Sequence, residues 1–322
     1  MGKSVLVILP LNEEEKQKFV EVQPNYIYDF HQSLTTVDKQ MVQRANIIIG
    51  NPSKERIKGS QNIEFLQLSS AGSESYVADG ILRKEALLAN CTGAYGEGIG
   101  EYMLCMLCAL YRNLHLYRDN QNQHLWQSAG PSKLIRGSIV LVLGTGDIGG
   151  SFAKKVHDLG AYIIGVRRTN GNKLGYLDEQ YTYDALDELL PKADVVAMAL
   201  PSTPQTRFIM NRKRLETLKR DAIIINVGRG DAIDLDALHD LLLEKRIYAA
   251  GLDVFYPEPL PKDSPLWDLK NLLITPHNNG GQPPQTHERV VQICLKNYKD
   301  YVAQREVDTR VDRETGYRVS RV

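Results

Sequence analysis

Apolar residues in this chain fall into short unbroken runs separated by stretches in which they recur every three or four positions. Ser4 to Pro10, Asn46 to Gly50 and Glu64 to Leu68 carry the first runs. A run that is apolar on both faces is what a parallel strand needs when helices cover both sides of its sheet. Further runs stand near 138–144, 162–166, 195–200, 222–227, 249–254 and 272–276, again alternating with helix-period segments. Such alternation predicts an α/β fold with doubly wound parallel sheets. Between the two sets a long helix is predicted from about Gly98. Its Ile99, Met103, Met106, Leu107, Leu110 and Leu114 make one face, and Leu104, Cys108 and Tyr111 make much of the rest apolar. A helix greasy nearly all round is expected to be buried between domains or between subunits. A last helix is predicted over about 286–302, returning the chain to the first unit. Residues 1–97 with 290–322 are therefore expected to form one domain and 98–289 a second, inserted one, while the stretch after Gln304 is polar.

The most informative motif is GTGDIGG, Gly144 to Gly150, which follows the apolar run Ile139, Val140, Leu141, Val142, Leu143. Ile148, Phe152, Val156 and Leu159 recur after it at helical spacing, and Gly160 supplies a stop. A glycine string alone is weak evidence, but strand, turn and helix in that order are the context a dinucleotide requires. Gly144 permits the tight turn, Gly146 lets the backbone approach a pyrophosphate, and Gly149 lets helix and strand pack closely. The unpaired N–H groups of the helix start face the phosphates. About twenty residues on, an NAD site places a carboxylate against the ribose 2′-hydroxyl. Here the strand Tyr162 to Val166 is followed by Arg167, Arg168 and Thr169. Two guanidiniums and a hydroxyl suit a 2′-phosphate, so NADP is the expected preference, with NAD as the second cofactor.

Composition narrows the classes of function. At 322 residues the chain exceeds the usual single domain. Its 39 basic residues balance 39 acidic ones, so no net field draws it to nucleic acid or to an anionic membrane. No run is long enough to span a bilayer and the start lacks a signal pattern, so a cytoplasmic location is expected. The pair Cys105 and Cys108 has neither a second CxxC nor paired histidines beside it, so no metal site is expected; both are read as small core residues.

Seven stretches, in order, resemble the D-isomer-specific 2-hydroxyacid dehydrogenases. They are SSAGSES at Ser69 to Ser75, GEGIGEYM at Gly96 to Met103, the GTGDIGG turn, LPSTPQTR at Leu200 to Arg207, INVGRGD at Ile225 to Asp231, GLDVFYPEP at Gly251 to Pro259, and TPH at Thr275 to His277. The resemblance implies two Rossmann-like domains, a flavodoxin-like substrate domain made from both chain ends and a doubly wound cofactor domain, with the active site in the cleft between them. It also implies a homodimer formed largely through the cofactor domain, and the glyoxylate, hydroxypyruvate or larger 2-keto acid reductases as the closest kind of activity. Formate or phosphite dehydrogenases and dinucleotide-sensing corepressors share that fold and remain alternatives.

Carried over residue by residue, the resemblance makes Arg229, Glu258 and His277 the catalytic set. Arg229 grips carboxylate and carbonyl oxygen with one rigid fork. His277 gives a proton to the developing alkoxide, and Glu258 orients the imidazole and favours its charged form. Ser70, Ala71 and Gly72 match the loop whose N–H groups hold the substrate carboxylate. The dinucleotide is expected along Gly144, Thr145, Gly146, Asp147, Ile148 and Gly149, beside Leu200, Pro201, Thr206, Val227 and Gly228, with Asp253 near the nicotinamide. Two departures bear on the substrate. Asn278 to Gln282 reads NNGGQ where relatives have an apolar and then a small residue, and Tyr95 stands where asparagine or a small residue is common, narrowing the acyl pocket.

Overall fold

The computed structural model describes residues 2–169, 171–278, 283–314, 316, 318 and 319. The chain divides into two compact units, residues 1–95 with 283–322, and residues 96–282. The divisions drawn from sequence, at 97/98 and 289/290, fall a few residues away. The helix Gly96–Tyr111 starts two residues earlier than its periodicity suggests, and the last helix, Pro284–Val302, also starts early.

The first unit holds a five-stranded sheet of β1 (Ser4–Ile8), β2 (Ile27–His31), β3 (Ile47–Ile49), β4 (Phe65–Gln67) and β5 (Leu87–Ala89). Every pairing is parallel, in the order β2-β1-β3-β4-β5. The hydrophobic runs foresee β1, β3 and β4. They miss β2, whose IYDFH is half-exposed at the sheet edge, and β5, which is three residues long. One face of the sheet packs Val5, Val7, Ile47 and Ile49 against Val290, Val291, Cys294 and Tyr298 of the last helix. Fully burying side chains of this size stabilises the fold by roughly 1.5–3 kcal/mol each.

The second unit holds seven parallel strands: β6 (Ile139–Leu143), β7 (Tyr162–Val166), β8 (Glu179–Tyr181), β9 (Val195–Met198), β10 (Ile223–Asn226), β11 (Ala249–Leu252) and β12 (Leu272–Ile274). Their order is β12-β11-β10-β9-β6-β7-β8. The direction of winding reverses between β6 and β9, and ligands of such sheets bind outside the carboxyl ends of the strands at that point. Register makes those ends coincide: Leu143 pairs with Val166 and Met198, Met198 with Asn226, Asn226 with Leu252, and Leu252 with Ile274. The edge strand β8, EQY, escaped the sequence reading because it is polar and partly exposed.

Two expectations are corrected here. Of the long helix, Ile99, Met103, Met106, Leu107 and Leu110 pack within the second unit, on β10, β11 and the helix after the glycine turn, while in the single chain Cys105 is exposed and Cys108 half-buried. Those two cysteines are therefore not core residues. Cys91 and Cys294 are the buried thiols, with their Sγ atoms 3.5 Å apart. Leu114 does not belong to the long helix either, because Asn113 adopts a left-handed φ of 56° and Leu114 opens a separate, exposed helix, Leu114–Asn122.

Candidate active site

The aligned strand ends set out the site in the second unit. One residue beyond them stand Gly144, Arg167, Ala199, Val227, Asp253 and Thr275, so residues far apart in sequence leave the sheet along one edge. The glycine turn opens the helix Asp147–Asp158, with Gly146 as its N-cap. Gly144 has φ +92°, and a Cβ on Gly149 would lie 2.0 Å from the Gly144 carbonyl oxygen. Both positions require glycine for the protein's own packing. Gly146 differs, since a Cβ there would meet nothing within 4 Å. Open space in front of a helix N-terminus, with the Thr145 hydroxyl buried and without a partner among the described residues, fits the phosphates of a dinucleotide. Ile148 is half-buried in the first helical turn. Asp147 serves the protein: its Oδ2 accepts the Gly96 N–H at 2.9 Å, holding the start of the long helix against the turn.

Arg167, half-buried, and Arg168, exposed, follow β7, with Thr169 exposed beside them. Among the described residues neither guanidinium has a carboxylate within ion-pair distance. The Tyr176 hydroxyl lies where a Cβ on Gly150 would meet it at 2.6 Å. Burial pushes that phenol up, against the pull of the Arg167 charge. Tyr176 was not foreseen; its one signal is an aromatic residue between β7 and β8.

On the other side of the switch point, Leu200 and Pro201 begin a turn whose shape depends on Thr206. That hydroxyl donates to the Pro201 carbonyl at 2.5 Å and accepts the Thr203 N–H at 2.9 Å. Val227 and Gly228 are buried after β10. The Asn226 side chain accepts the Gly228 N–H at 3.0 Å and donates to the Arg229 carbonyl at 2.9 Å, which fixes the backbone of the arginine. A Cβ on Gly230 would lie 2.0 Å from the Phe255 carbonyl carbon, so this loop presses on the one that carries Glu258.

Glu258 accepts the Phe255 N–H with Oε1 at 2.8 Å and meets His277 Nδ1 with Oε2 at 2.7 Å. A carboxylate can only accept, so the ring donates from Nδ1 and its Nε2 is the atom left to carry a proton to or from a ligand. His277 has a left-handed φ of 49°, strain of a kind that clusters at functional sites. Asp253 is fully buried, and its Oδ1 accepts the Thr275 hydroxyl at 2.6 Å and, more weakly, that of Tyr102 at 3.5 Å. Asp253 thus secures the residue two places before His277. Burial, then the Asp253 charge, pushes the Tyr102 phenol up. Phe255, Leu260, Trp267, Ile274 and Pro276 join the dyad around a cavity of about 350 Å³. Trp267 was not foreseen, because nothing in its local sequence ties it to the dyad. Of the NNGGQ stretch, 279–282 lie outside the described residues.

In the first unit the loop after β4 is tied back through its carbonyls. Those of Ser69, Ser70, Ala71 and Gly72 accept respectively from the Tyr95 hydroxyl at 2.5 Å, Cys91 N–H at 2.9 Å, Asn90 Nδ2 at 2.8 Å and Ser70 Oγ at 2.9 Å. The N–H groups of Ser70, Ala71 and Gly72 have no partner among the described residues. Successive N–H groups left open in this way make an anion-binding concavity. Tyr95 acts as a strut under the loop, and burial pushes its phenol well up.

Comparison with known proteins agrees with this geometry. The profile described as D-isomer specific 2-hydroxyacid dehydrogenase, NAD binding domain, matches residues 104–279. Glyoxylate/hydroxypyruvate reductase B of Pectobacterium atrosepticum is 29% identical over 71% of this chain and 72% of its own. A solved D-isomer specific 2-hydroxyacid dehydrogenase family protein of Aeromonas salmonicida superposes with a TM-score of 0.84 at 31% identity, covering 97% of this chain and 100% of its own. Another from Xanthobacter autotrophicus, solved with NADPH and MES, gives 0.81 at 25% identity, covering 98% and 100%. With a dinucleotide turn, an arginine and a glutamate–histidine pair ordered along one sheet edge, the chain belongs to the D-isomer specific 2-hydroxyacid dehydrogenases, NAD(P)-dependent oxidoreductases.

Proposed function

We propose that this protein reduces 2-keto acids to D-2-hydroxy acids, preferring NADPH and accepting NADH. The observation that carries the reading is the 2.7 Å contact of Glu258 with His277 on the same sheet edge as Arg229 and the glycine turn. The residues proposed for the dinucleotide are the turn Gly144–Gly149, Leu200, Pro201, Val227 and Gly228, and Asp253; Thr206 shapes the turn beside them. A bound nicotinamide supplies the hydride. The chain's own residues do the rest. Ser70, Ala71 and Gly72 offer open N–H groups to the carboxylate. Arg229 holds carboxylate and carbonyl oxygen in one planar fork, which polarises the carbonyl. His277 Nε2–H gives its proton to the oxygen as the alkoxide forms, and Glu258 keeps the ring turned so that Nε2 faces outward.

The preference for NADPH rests on Arg167, Arg168 and Thr169, basic and polar groups where an NAD site carries a carboxylate. The NADPH in the Xanthobacter relative supports it. A homodimer through the second unit is supported by the large apolar side chains that Trp126, Leu114, Leu125 and Leu134 leave exposed on one stretch of chain. Four free thiols suit a cytoplasmic location, and no described helix is long and apolar enough to cross a membrane. The test is a panel of 2-keto acids assayed with NADPH and with NADH, alongside formate and phosphite. Turnover of several keto acids, faster with NADPH, is the expected result. Oxidation of formate or phosphite alone, or tight NADPH binding without any turnover, would overturn the reading.

A further inference from the structure

The segment after the last helix looked featureless in sequence, yet Val307, Thr309 and Val311 within it are almost fully buried. It runs antiparallel to β5. Ala89 bridges Arg310, the Asn90 N–H donates to the Thr309 carbonyl at 3.1 Å, and the Val311 N–H to the Leu88 carbonyl at 2.8 Å. An edge of an otherwise parallel sheet is thereby covered from a distant part of the chain.

Side chains extend this pairing into the loop at residues 69–73. The Thr309 hydroxyl donates to the Asn90 carbonyl and accepts from Asn297 Nδ2 at 2.7 Å. Asn297 Nδ2 also donates to Gln67 Oε1 at 2.8 Å, and Gln67 Nε2 to the Asn90 carbonyl at 3.0 Å. Asn90 passes the constraint on, since its Nδ2 holds the Ala71 carbonyl at 2.8 Å. At the far end of the loop, Ser73 Oγ donates to the Gly316 carbonyl at 2.7 Å. The side chains of this network are buried, and apart from Asn297 Oδ1, which has no partner among the described residues, their polar atoms named here are paired, so a broken pair is costly.

The structure assigns to residues 307–314 and Gly316 the role of a strap that sets the conformation of the substrate-carboxylate loop, with Thr309 and Asn90 as positioning residues. The assignment of the carboxylate to that loop rests on the function proposed above. The geometry explains how the strap acts. Holding the Ala71 carbonyl inward turns the peptide so that the next N–H, that of Gly72, points the other way. Release of Ala71 lets this peptide rotate, and an anion then meets a less ordered set of donors.

Thr309→Val keeps the shape and removes the hydroxyl, while Thr309→Ser keeps the hydroxyl. Gln67 still pairs with both Asn297 and Asn90 in either variant. Two readouts are taken on the whole protein: steady-state kinetics, and amide hydrogen exchange of the peptide spanning 68–75. Thr309→Val should raise the KM for the keto acid about tenfold, the expected scale for one broken buried hydrogen bond, with kcat and the KM for NADPH close to wild type. Exchange should quicken in parallel at Leu68 and Ser69, whose N–H groups donate to the Ala89 carbonyl at 2.8 Å and to Asn51 Oδ1 at 2.9 Å, and Thr309→Ser should restore both. Wild-type values in Thr309→Val, or equal impairment in Thr309→Ser, would overturn the strap. Should Thr309→Val fail to fold, Ser73→Ala breaks the other grip and should give the same KM-specific loss; wild-type behaviour there would overturn the strap equally. Exchange is independent of turnover. Faster exchange in a protein whose wild type reduces no keto acid ends the functional reading and keeps the strap, whereas unchanged exchange with normal wild-type turnover ends the strap alone.

Discussion

Replacing Glu258 by glutamine tests the dyad by counting donors and acceptors. The wild-type carboxylate accepts twice, from the Phe255 N–H at 2.8 Å and from His277 Nδ1 at 2.7 Å. Glutamine offers one oxygen and one NH₂ in nearly the same shape, so it can satisfy only one of these donors. If its oxygen serves His277, the NH₂ confronts the Phe255 N–H and leaves that backbone donor unpaired. If its oxygen serves Phe255, the NH₂ requires a lone pair on Nδ1, and the neutral ring then carries its proton on Nε2. That ring cannot take a proton from a hydroxy acid. Either outcome forfeits a hydrogen bond to a charged group, worth about 1.5–3 kcal/mol, which corresponds to about 10- to 150-fold in rate. The pair is one-third exposed, so the lower half of that range is expected. The assay is kcat/KM in both directions, with ¹⁵N-histidine NMR to read the tautomer. At a given pH the loss must be equal in both directions, because the overall equilibrium is not the enzyme's to change. Neutral His277 should carry its proton on Nδ1 in wild type, and in the variant the tautomer reports which donor the glutamine oxygen serves, Nδ1–H if His277 and Nε2–H if Phe255. A variant within about threefold of wild type, with the tautomer unchanged, would refute the reasoning.

Other perturbations separate structure from ligand. Gly149→Ala puts a methyl 2.0 Å from the Gly144 carbonyl oxygen and should destabilise the protein by roughly 1–3 kcal/mol, seen as a lower urea midpoint. Gly146→Ala, which meets no protein atom within 4 Å, should leave that midpoint alone and weaken NADPH binding in titration calorimetry. Arg167→Asp should cost NADPH far more than NADH in kcat/KM; a wild type that already prefers NADH would show the arginine assignment to be mistaken. Burial pushes the Tyr76 phenol, whose hydroxyl donates to the Pro52 carbonyl at 3.0 Å, from 10.0 up to about 12. Its contribution is intact below pH 10.0 and is lost as pH rises toward 12, about 3 kcal/mol in all. Urea midpoints should therefore fall across that window, and less so in Tyr76→Phe.

What the sequence determined by itself is whatever depends on a few neighbouring residues. The run Ile139 to Leu143 with its glycine turn is such a unit, since strand, turn and helix start are contiguous and each glycine answers a local constraint. The same holds for Arg229 after β10 and His277 after β12, legible because each follows an apolar run within a motif. Tertiary structure decided the rest. The strands β2, β5 and β8 lie at sheet edges, where one side faces solvent or a later segment, so their polar or brief runs carry no alternation to read. Which way Cys105 points depended on where the long helix found β10, β11 and the glycine-turn helix. Asp147 became the anchor of Gly96, and Tyr95 the strut of Ser69, only when distant backbone met their side chains. Thr309 and Asn90 are the clearest case. They stand 219 positions apart, and a hydrogen bond between them leaves no periodic trace, because its cause is the sheet edge that folding brings beside them.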